Sequence, residues 1–73
     1  MEIDTQSIET AKETPEGTFI VMAEGENIDE SIGCELPKEG VLSFIKSFEN
    51  NKEALAEYMP DSDYTKVTRL YIA

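Results

Sequence analysis

The chain has 73 residues, with 16 acidic and six basic side chains and a formal net charge of −10. It contains no histidine and a single cysteine, Cys34, which excludes a zinc cluster or a disulfide within one chain. Histidine is also the commonest general base, and no catalytic motif is present. We therefore expect a non-enzymatic protein without a cofactor.

The length predicts one domain, residues 1–73, with a mobile N-terminus, because strong self-repulsion favours expansion of so small a core. The longest apolar run, Phe19–Ala23, is far shorter than the roughly 20 residues that span a bilayer. The N-terminus lacks the features of a signal peptide, and a lone cysteine fits a reducing compartment. A cytoplasmic protein is the resulting expectation.

The charge is unevenly distributed along the chain. Residues 1–35 hold ten acids and one base, Lys12, whereas residues 36–73 hold six acids and five bases. With a single base among them, the N-terminal acids are expected to lack partners within the chain. Such asymmetry indicates a working surface. Because it would repel nucleic acid and anionic lipid, we expect a basic protein partner and no direct binding to nucleic acid or membrane.

The N-terminal half predicts strands and turns. Thr5–Glu13 is weakly patterned and is expected to be a hairpin strand or a polar edge. Thr14–Gly17 contains Pro and Gly in the order typical of a turn. Thr18–Glu24 is rich in β-formers and predicts a buried strand. The chain then breaks at Gly25–Asn27, and Ser31–Leu36 is expected to add a short strand.

The C-terminal half predicts a helix followed by a strand. Apolar residues recur at helical spacings from Gly40 to Met59, between Pro37 and Pro60, which suit a helix start and stop. An alternative is a break at Asn50-Asn51 into two shorter helices. Alternation over Tyr64–Ile72 predicts a final strand, with Leu70 and Ile72 on one side and Val67 on the other. The expected fold is α+β, with a mainly antiparallel sheet of three to four strands against one main helix.

Two groups of acids are candidate sites. The first, Glu24, Glu26, Asp29 and Glu30, offers oxygen ligands suited to calcium, but the spacing does not match an EF-hand loop, so no dedicated metal site is expected. The second, Glu49, Glu53 and Glu57, would form a stripe with steps of about 6 Å on a continuous helix. Glu24 and Glu26 would share one side of an extended segment at about 6.8 Å. Such spacings can follow the phosphates of DNA coarsely.

The small size, the high negative charge, the absence of histidine and the acidic segment Glu24–Glu35 resemble the DNA-mimic proteins that phages and mobile elements produce. Phage inhibitors of the bacterial nucleoid protein HU are the most similar in character. The resemblance implies a monomer or homodimer that acts in the cytoplasm of an infected bacterium, at the nucleoid, by occupying the DNA-binding surface of a basic protein. It rests on charge layout and on no motif.

On this interpretation the candidate partner-binding residues are all carboxylates: Glu13, Glu16, Glu24, Glu26, Asp29, Glu30, Glu35, Glu49, Glu53 and Glu57. Two alternatives stay open. The same mimicry could inhibit a nuclease, as anti-restriction and anti-CRISPR proteins do. The chain could also be an interaction or assembly module that is acidic for solubility, with apolar contacts anchored by Tyr58, Tyr64 or Tyr71.

Overall fold

The secondary structure comprises four strands, two α-helices and two short 3-10 helices. The computed structural model describes all residues from Met1 to Ala73. In chain order the elements are β1 (Glu2–Ile3), α1 (Thr5–Glu13), β2 (Thr18–Gly25), β3 (Ile28–Pro37), α2 (Lys38–Lys46), 3-10 helices at Lys52–Glu57 and Tyr64–Lys66, and β4 (Val67–Ile72). The predicted α+β class with a small, mainly antiparallel sheet is confirmed, although two main helices are present where one was expected.

The four strands form one mixed sheet in the order β1-β4-β2-β3. β2 pairs antiparallel with both β3 and β4, and β1 pairs parallel with β4. The two-residue turn Glu26-Asn27 joins β2 to β3, and Asn27 adopts a positive φ of 59° there. The expected strand at Ser31–Leu36 therefore belongs to a longer strand that begins at Ile28.

Both helices pack on the same face of the sheet, and the hydrophobic core lies between the two layers. The core contains no buried polar side chain. Its members are Ala11, Val21, Ala23, Ile32, Val41, Ile45, Phe48, Leu55, Met59, Val67, Leu70 and Ile72. The opposite face of the sheet carries no helix. This open face is where the side chains of the central strands reach solvent.

The prediction for Thr5–Glu13 is wrong, because this segment is a helix. Asp4 caps it, accepting hydrogen bonds from the backbone N–H groups of Gln6 at 2.9 Å and Ser7 at 3.2 Å. The helix buries Ala11 against the core. Residues 2–13 thus have regular structure, while mobility of the N-terminus stays a prediction. The predicted turn is the loop from α1 to β2, where Gly17 has a φ of +128°.

The continuous helix predicted from Gly40 to Met59 is also wrong, and the structure follows the alternative of a break. α2 ends at Lys46, the chain turns through residues 47–51, and a 3-10 helix begins at Lys52. Asn51 has φ −146° and ψ 64°, which are not helical values. Asparagine and serine compete for backbone hydrogen bonds and have low helix propensity, which explains the break in this stretch.

Strict alternation along the last strand fails because Val67 and Leu70, three residues apart, are both fully buried. The register of β2 against β4 shifts between Glu24 and Gly25, so that one residue of β4 is left over. The extra residue of a bulge interrupts the alternation of side chains, so Val67 and Leu70 both point toward the helices. Gly25 permits the close approach, because a Cβ there would collide with the carbonyl oxygen of Lys66.

Candidate acidic binding surface

Arg69 organises the charged side chains on the open face of the sheet. Its guanidinium donates hydrogen bonds to the carboxylates of Asp4 and Glu24, the latter at 3.4 Å. The guanidinium carbon also lies 4.6 Å from the centre of the Tyr71 ring. The Tyr71 hydroxyl in turn donates to Asp29 Oδ1 at 3.1 Å. Arg69 and Tyr71, neighbours on the open face of β4, therefore link three carboxylates into one network.

These contacts shift the pKa values of three groups. The backbone N–H of Ser7 and then the Arg69 guanidinium lower the pKa of Asp4. The hydrogen bond with Asp4 raises the pKa of Arg69. The hydrogen bond to Asp29, followed by partial desolvation, raises the pKa of Tyr71. At neutral pH the network therefore keeps its charges fixed, with a neutral tyrosine as the donor to Asp29.

Glu24 and Asp29 lie directly opposite each other on β2 and β3. Like charges in this relation are destabilising. The ion pair with Arg69 and the hydrogen bond from Tyr71 offset that repulsion. The expectation that the N-terminal acids lack partners within the chain is therefore wrong for these two residues, because Arg69 and Tyr71 reach them from a strand more than 40 residues later in the chain.

Glu26 and Glu30 do not continue this cluster. Glu26 is exposed in the hairpin turn, so it does not share an extended side with Glu24 as the sequence suggested. Glu30 follows Asp29 on β3 and therefore points to the helix side of the sheet, opposite Ala23 of the core. There its Oε2 accepts a hydrogen bond of 2.8 Å from the Ser62 hydroxyl. The four acids near the turn thus point in three directions.

The predicted stripe of Glu49, Glu53 and Glu57 is absent because the helix that would carry it is broken. Glu49 lies in the turn after α2, and the other two lie in the 3-10 helix. In a 3-10 helix residues three apart eclipse, so residues four apart diverge by about a third of a turn. All three side chains are exposed, but they do not form a single row.

Glu13, Glu16 and Glu35 lie toward the other end of the β2–β3 hairpin. Glu13 ends α1, Glu16 lies in the loop before β2, and Glu35 lies in the irregular part of β3 between Ile32 and Leu36. The eight residues of β2 separate this end from the hairpin turn by about 24 Å at 3.4 Å per residue. The acids of the N-terminal half therefore flank the sheet at both ends, and the stretch Glu24–Glu35 is not one compact cluster.

Seven of the ten predicted residues share two properties. Each is exposed, and none forms an ion pair or a side-chain hydrogen bond within the chain. We call them the free carboxylates: Glu13, Glu16, Glu26, Glu35, Glu49, Glu53 and Glu57. The other three, Glu24, Asp29 and Glu30, are hydrogen-bonded inside the protein. Free carboxylates can exchange water for a cation on another molecule without losing a contact inside the chain.

Sequence reasoning missed two features of the surface. One is the network of Asp4, Arg69 and Tyr71. Asp4 stands before the apolar residues Ile8 and Ala11, and this N-cap pattern could have predicted the helix start that positions its carboxylate. The other is an open groove of about 620 Å³ between α1 and α2, with an apolar floor and charged edges. Its floor includes Ile3, Ile8, Leu42 and Ile45, and its edges include Glu9, Lys12, Lys46 and Glu49.

The remaining candidate chemistry is sparse. No three acidic or cysteine side chains are grouped so that they could hold a metal ion. Cys34 is a free, exposed thiol on β3. None of the helices is long and apolar enough to cross a bilayer. Comparison with protein-family models, with curated proteins and with solved structures finds no match to this chain.

Proposed function

We propose that this protein is a non-enzymatic DNA mimic that binds the DNA-binding surface of a basic host protein and excludes DNA from it. The bacterial nucleoid protein HU is our first candidate for the target, from the resemblance to phage inhibitors of that protein. The single observation that supports the proposal is the set of seven free carboxylates on a chain of net charge −10.

Free carboxylates favour this function because they remain fully available to lysine and arginine of a partner. Acids that are already paired, such as Glu24, gain less from a second cation than acids that face only water. Free carboxylates lie at both ends of the hairpin, which are separated by the length of β2, about 24 Å, or about seven phosphate steps along one DNA strand at 3.4 Å each. A field of this extent also accelerates encounter with a basic partner.

The groove between α1 and α2 supports the second candidate, an interaction module with apolar contacts. The two functions differ in their response to salt. Binding through exposed carboxylates weakens steeply as ionic strength rises, whereas apolar association changes little. Inhibition of a nuclease by mimicry would share the salt dependence and would differ only in the target.

The test measures binding of the fluorescently labelled protein to purified HU by anisotropy at several salt concentrations, with duplex DNA as competitor. We expect affinity to fall steeply with salt, and we expect DNA and this protein to displace each other. A restriction nuclease and a Cas nuclease serve as parallel targets. A stable ternary complex with DNA still bound to HU, or binding that is insensitive to salt, would overturn the proposal for HU.

Two triple variants separate charge placement from net charge. Changing Glu16, Glu26 and Glu35 to glutamine removes three free carboxylates. The matched control changes Glu9→Gln, Glu24→Gln and Asp63→Asn, whose carboxylates face Lys12, Arg69 and Thr65 within the chain. Both variants have a net charge of −7, three less negative than the −10 of the parent chain.

We expect the first variant to lose about tenfold or more in affinity for HU and to show a flatter dependence on salt. The control should lose clearly less, because each of its acids already has a cation or a hydrogen-bond donor within the chain. Equal losses in the two variants would mean that net charge alone determines binding and that the assignment of free carboxylates is wrong.

A further inference from the structure

The outer edge of β3 is unpaired along its whole length. In the order β1-β4-β2-β3, β3 has a neighbour on one side only. It spans ten residues, whereas β1 at the other edge spans two. An edge strand presents a row of backbone donors and acceptors that a further strand can pair with. The edge of β3 is therefore the longer of the two free edges of the sheet.

The hairpin register shows which backbone groups face outward. Gly25 and Ile28 flank a two-residue turn and are paired, so they form a hydrogen-bonded pair. Hydrogen-bonded and non-hydrogen-bonded pairs alternate along an antiparallel ladder. Glu30 and Ile32 therefore bond to β2, while the N–H and C=O groups of Asp29 and Ser31 point away from the sheet.

No other part of the chain uses these outward groups. The backbone hydrogen bonds outside helices and ladders include neither Asp29 nor Ser31, and no side chain bonds to their backbone atoms. The regular part of the edge ends after Ile32, where the register against β2 shifts. Gly33 there has a φ of +74° and lies against the Phe44 ring. The usable edge is thus the five residues Ile28–Ile32.

The charges along this edge determine which kind of strand can pair with it. Asp29 is on the open face, and Glu30 is on the helix face, so an added strand would meet a carboxylate on both sides of the sheet. Opposite charges in neighbouring strands stabilise pairing, and like charges oppose it. A second copy of β3 would bring the same acids against each other, which disfavours self-association along this edge. An extended segment with adjacent lysine or arginine residues is the complement.

We propose that the Ile28–Ile32 edge of β3 binds an extended, lysine- or arginine-rich segment of the partner protein as a fifth strand. The outward backbone groups of Asp29 and Ser31 pair with that segment. Its cations bind Asp29 Oδ2 and Glu30 Oε1, the carboxylate oxygens that accept no hydrogen bond within the chain. This inference takes the basic character of the partner from the proposed function. It adds a backbone-mediated contact that a purely electrostatic DNA mimic does not need.

The first test uses a peptide and involves neither HU nor DNA. The probe is a capped ten-residue peptide of valine and threonine with a central pair of lysines. The control peptide has the same sequence with N-methyl groups on its four central residues, which keeps the charge and removes the strand donors. Hydrogen exchange of the protein's backbone amides is followed by NMR at low salt.

We expect the probe to slow exchange of the Asp29 and Ser31 amides by about tenfold or more at saturation, because both amides gain an acceptor. The Glu30 and Ile32 amides should be slow already, and the methylated peptide should leave all four unchanged. Equal effects of the two peptides, or binding without added protection at Asp29 and Ser31, would overturn the inference.

The second test measures binding to HU with substitutions that keep the net charge. Ser31→Pro removes an outward N–H that is not used in the pairing with β2, and proline is tolerated on edge strands. Ser31→Ala removes the same hydroxyl and keeps the N–H. We expect the proline variant to lose about tenfold in affinity, with an unchanged salt dependence, and the alanine variant to bind like the parent chain.

The outcomes separate this inference from the proposed function. If the parent chain binds HU in a salt-dependent manner that DNA reverses, while Ser31→Pro binds equally well, DNA mimicry stands and the edge inference fails. If the lysine peptide protects the edge amides but HU is not bound, the edge inference stands and the proposed target is wrong.

Discussion

Phe48→Ala should remove a large share of the stability of this domain. Phe48 lies in the turn that follows α2, and only 1% of it is exposed. Its ring packs edge-to-face against the rings of Phe44 and Tyr58, with centroid separations of 5.0 Å and 5.8 Å. It therefore joins α2 to the 3-10 helix across the break in the chain. Truncating a buried phenylalanine costs about 3–5 kcal/mol through lost burial and the cavity that remains.

That cost is a large share of the total free energy of unfolding. At about 0.05–0.15 kcal/mol per residue, a chain of 73 residues has a free energy of unfolding of roughly 4–11 kcal/mol. The assay is urea unfolding followed by far-UV circular dichroism. With an m-value of about 1 kcal/mol/M for a small protein, the midpoint should fall by about 3 M or more, and the native spectrum could be lost without denaturant.

The matched control is Tyr58→Ala, in the same ring cluster but at a position that is 41% exposed. It should cost clearly less, on the order of 0.5–1.5 kcal/mol for the lost aromatic pairs, because it leaves no enclosed cavity. A loss below about 1 kcal/mol for Phe48→Ala, or equal losses for the two variants, would refute the packing described around the break between the helices.

Three further predictions concern the charged groups. Because the pKa of Asp4 is lowered in the folded state, its contribution to stability is present above its unfolded value of 3.8 and is lost as pH falls through the folded value. Asp4→Asn should therefore flatten the acid limb of the stability curve measured by thermal unfolding. The pKa of Tyr71 is raised, so its contribution is present below about pH 10 and is lost as pH rises through the folded value; Tyr71→Phe should remove that alkaline loss. Finally, moderate salt should raise the melting temperature, because it screens repulsion among the free carboxylates. A steady fall in melting temperature from low to moderate salt would contradict the last prediction.

Local patterns in the sequence were enough to predict much of the fold. β-Branched and aromatic residues in Thr18–Glu24, with a break at Gly25–Asn27, located the central strand and its turn. The helical spacing of Val41 and Ile45 located α2. α1 was missed because its apolar face is narrow, with Ile8 and Ala11 as its main members, and its stability depends on the Asp4 cap and on packing against β4. Most of the candidate acids are exposed, but their arrangement was not predictable from spacing.

The excess of acids, the lack of histidine, the α+β class and the central strand with the break after it follow from composition and from contacts between near neighbours in the chain. Which carboxylates are free depends on contacts between residues that are distant in the chain. Arg69 is 45 residues from Glu24 in the chain and Tyr71 is 42 residues from Asp29, and only the pairing of β4 with β2 brings these side chains together. The bulge beside Gly25 likewise redirects side chains that a regular period would have aligned. Pairing between distant strands fixes these positions, and no local period in the sequence encodes it.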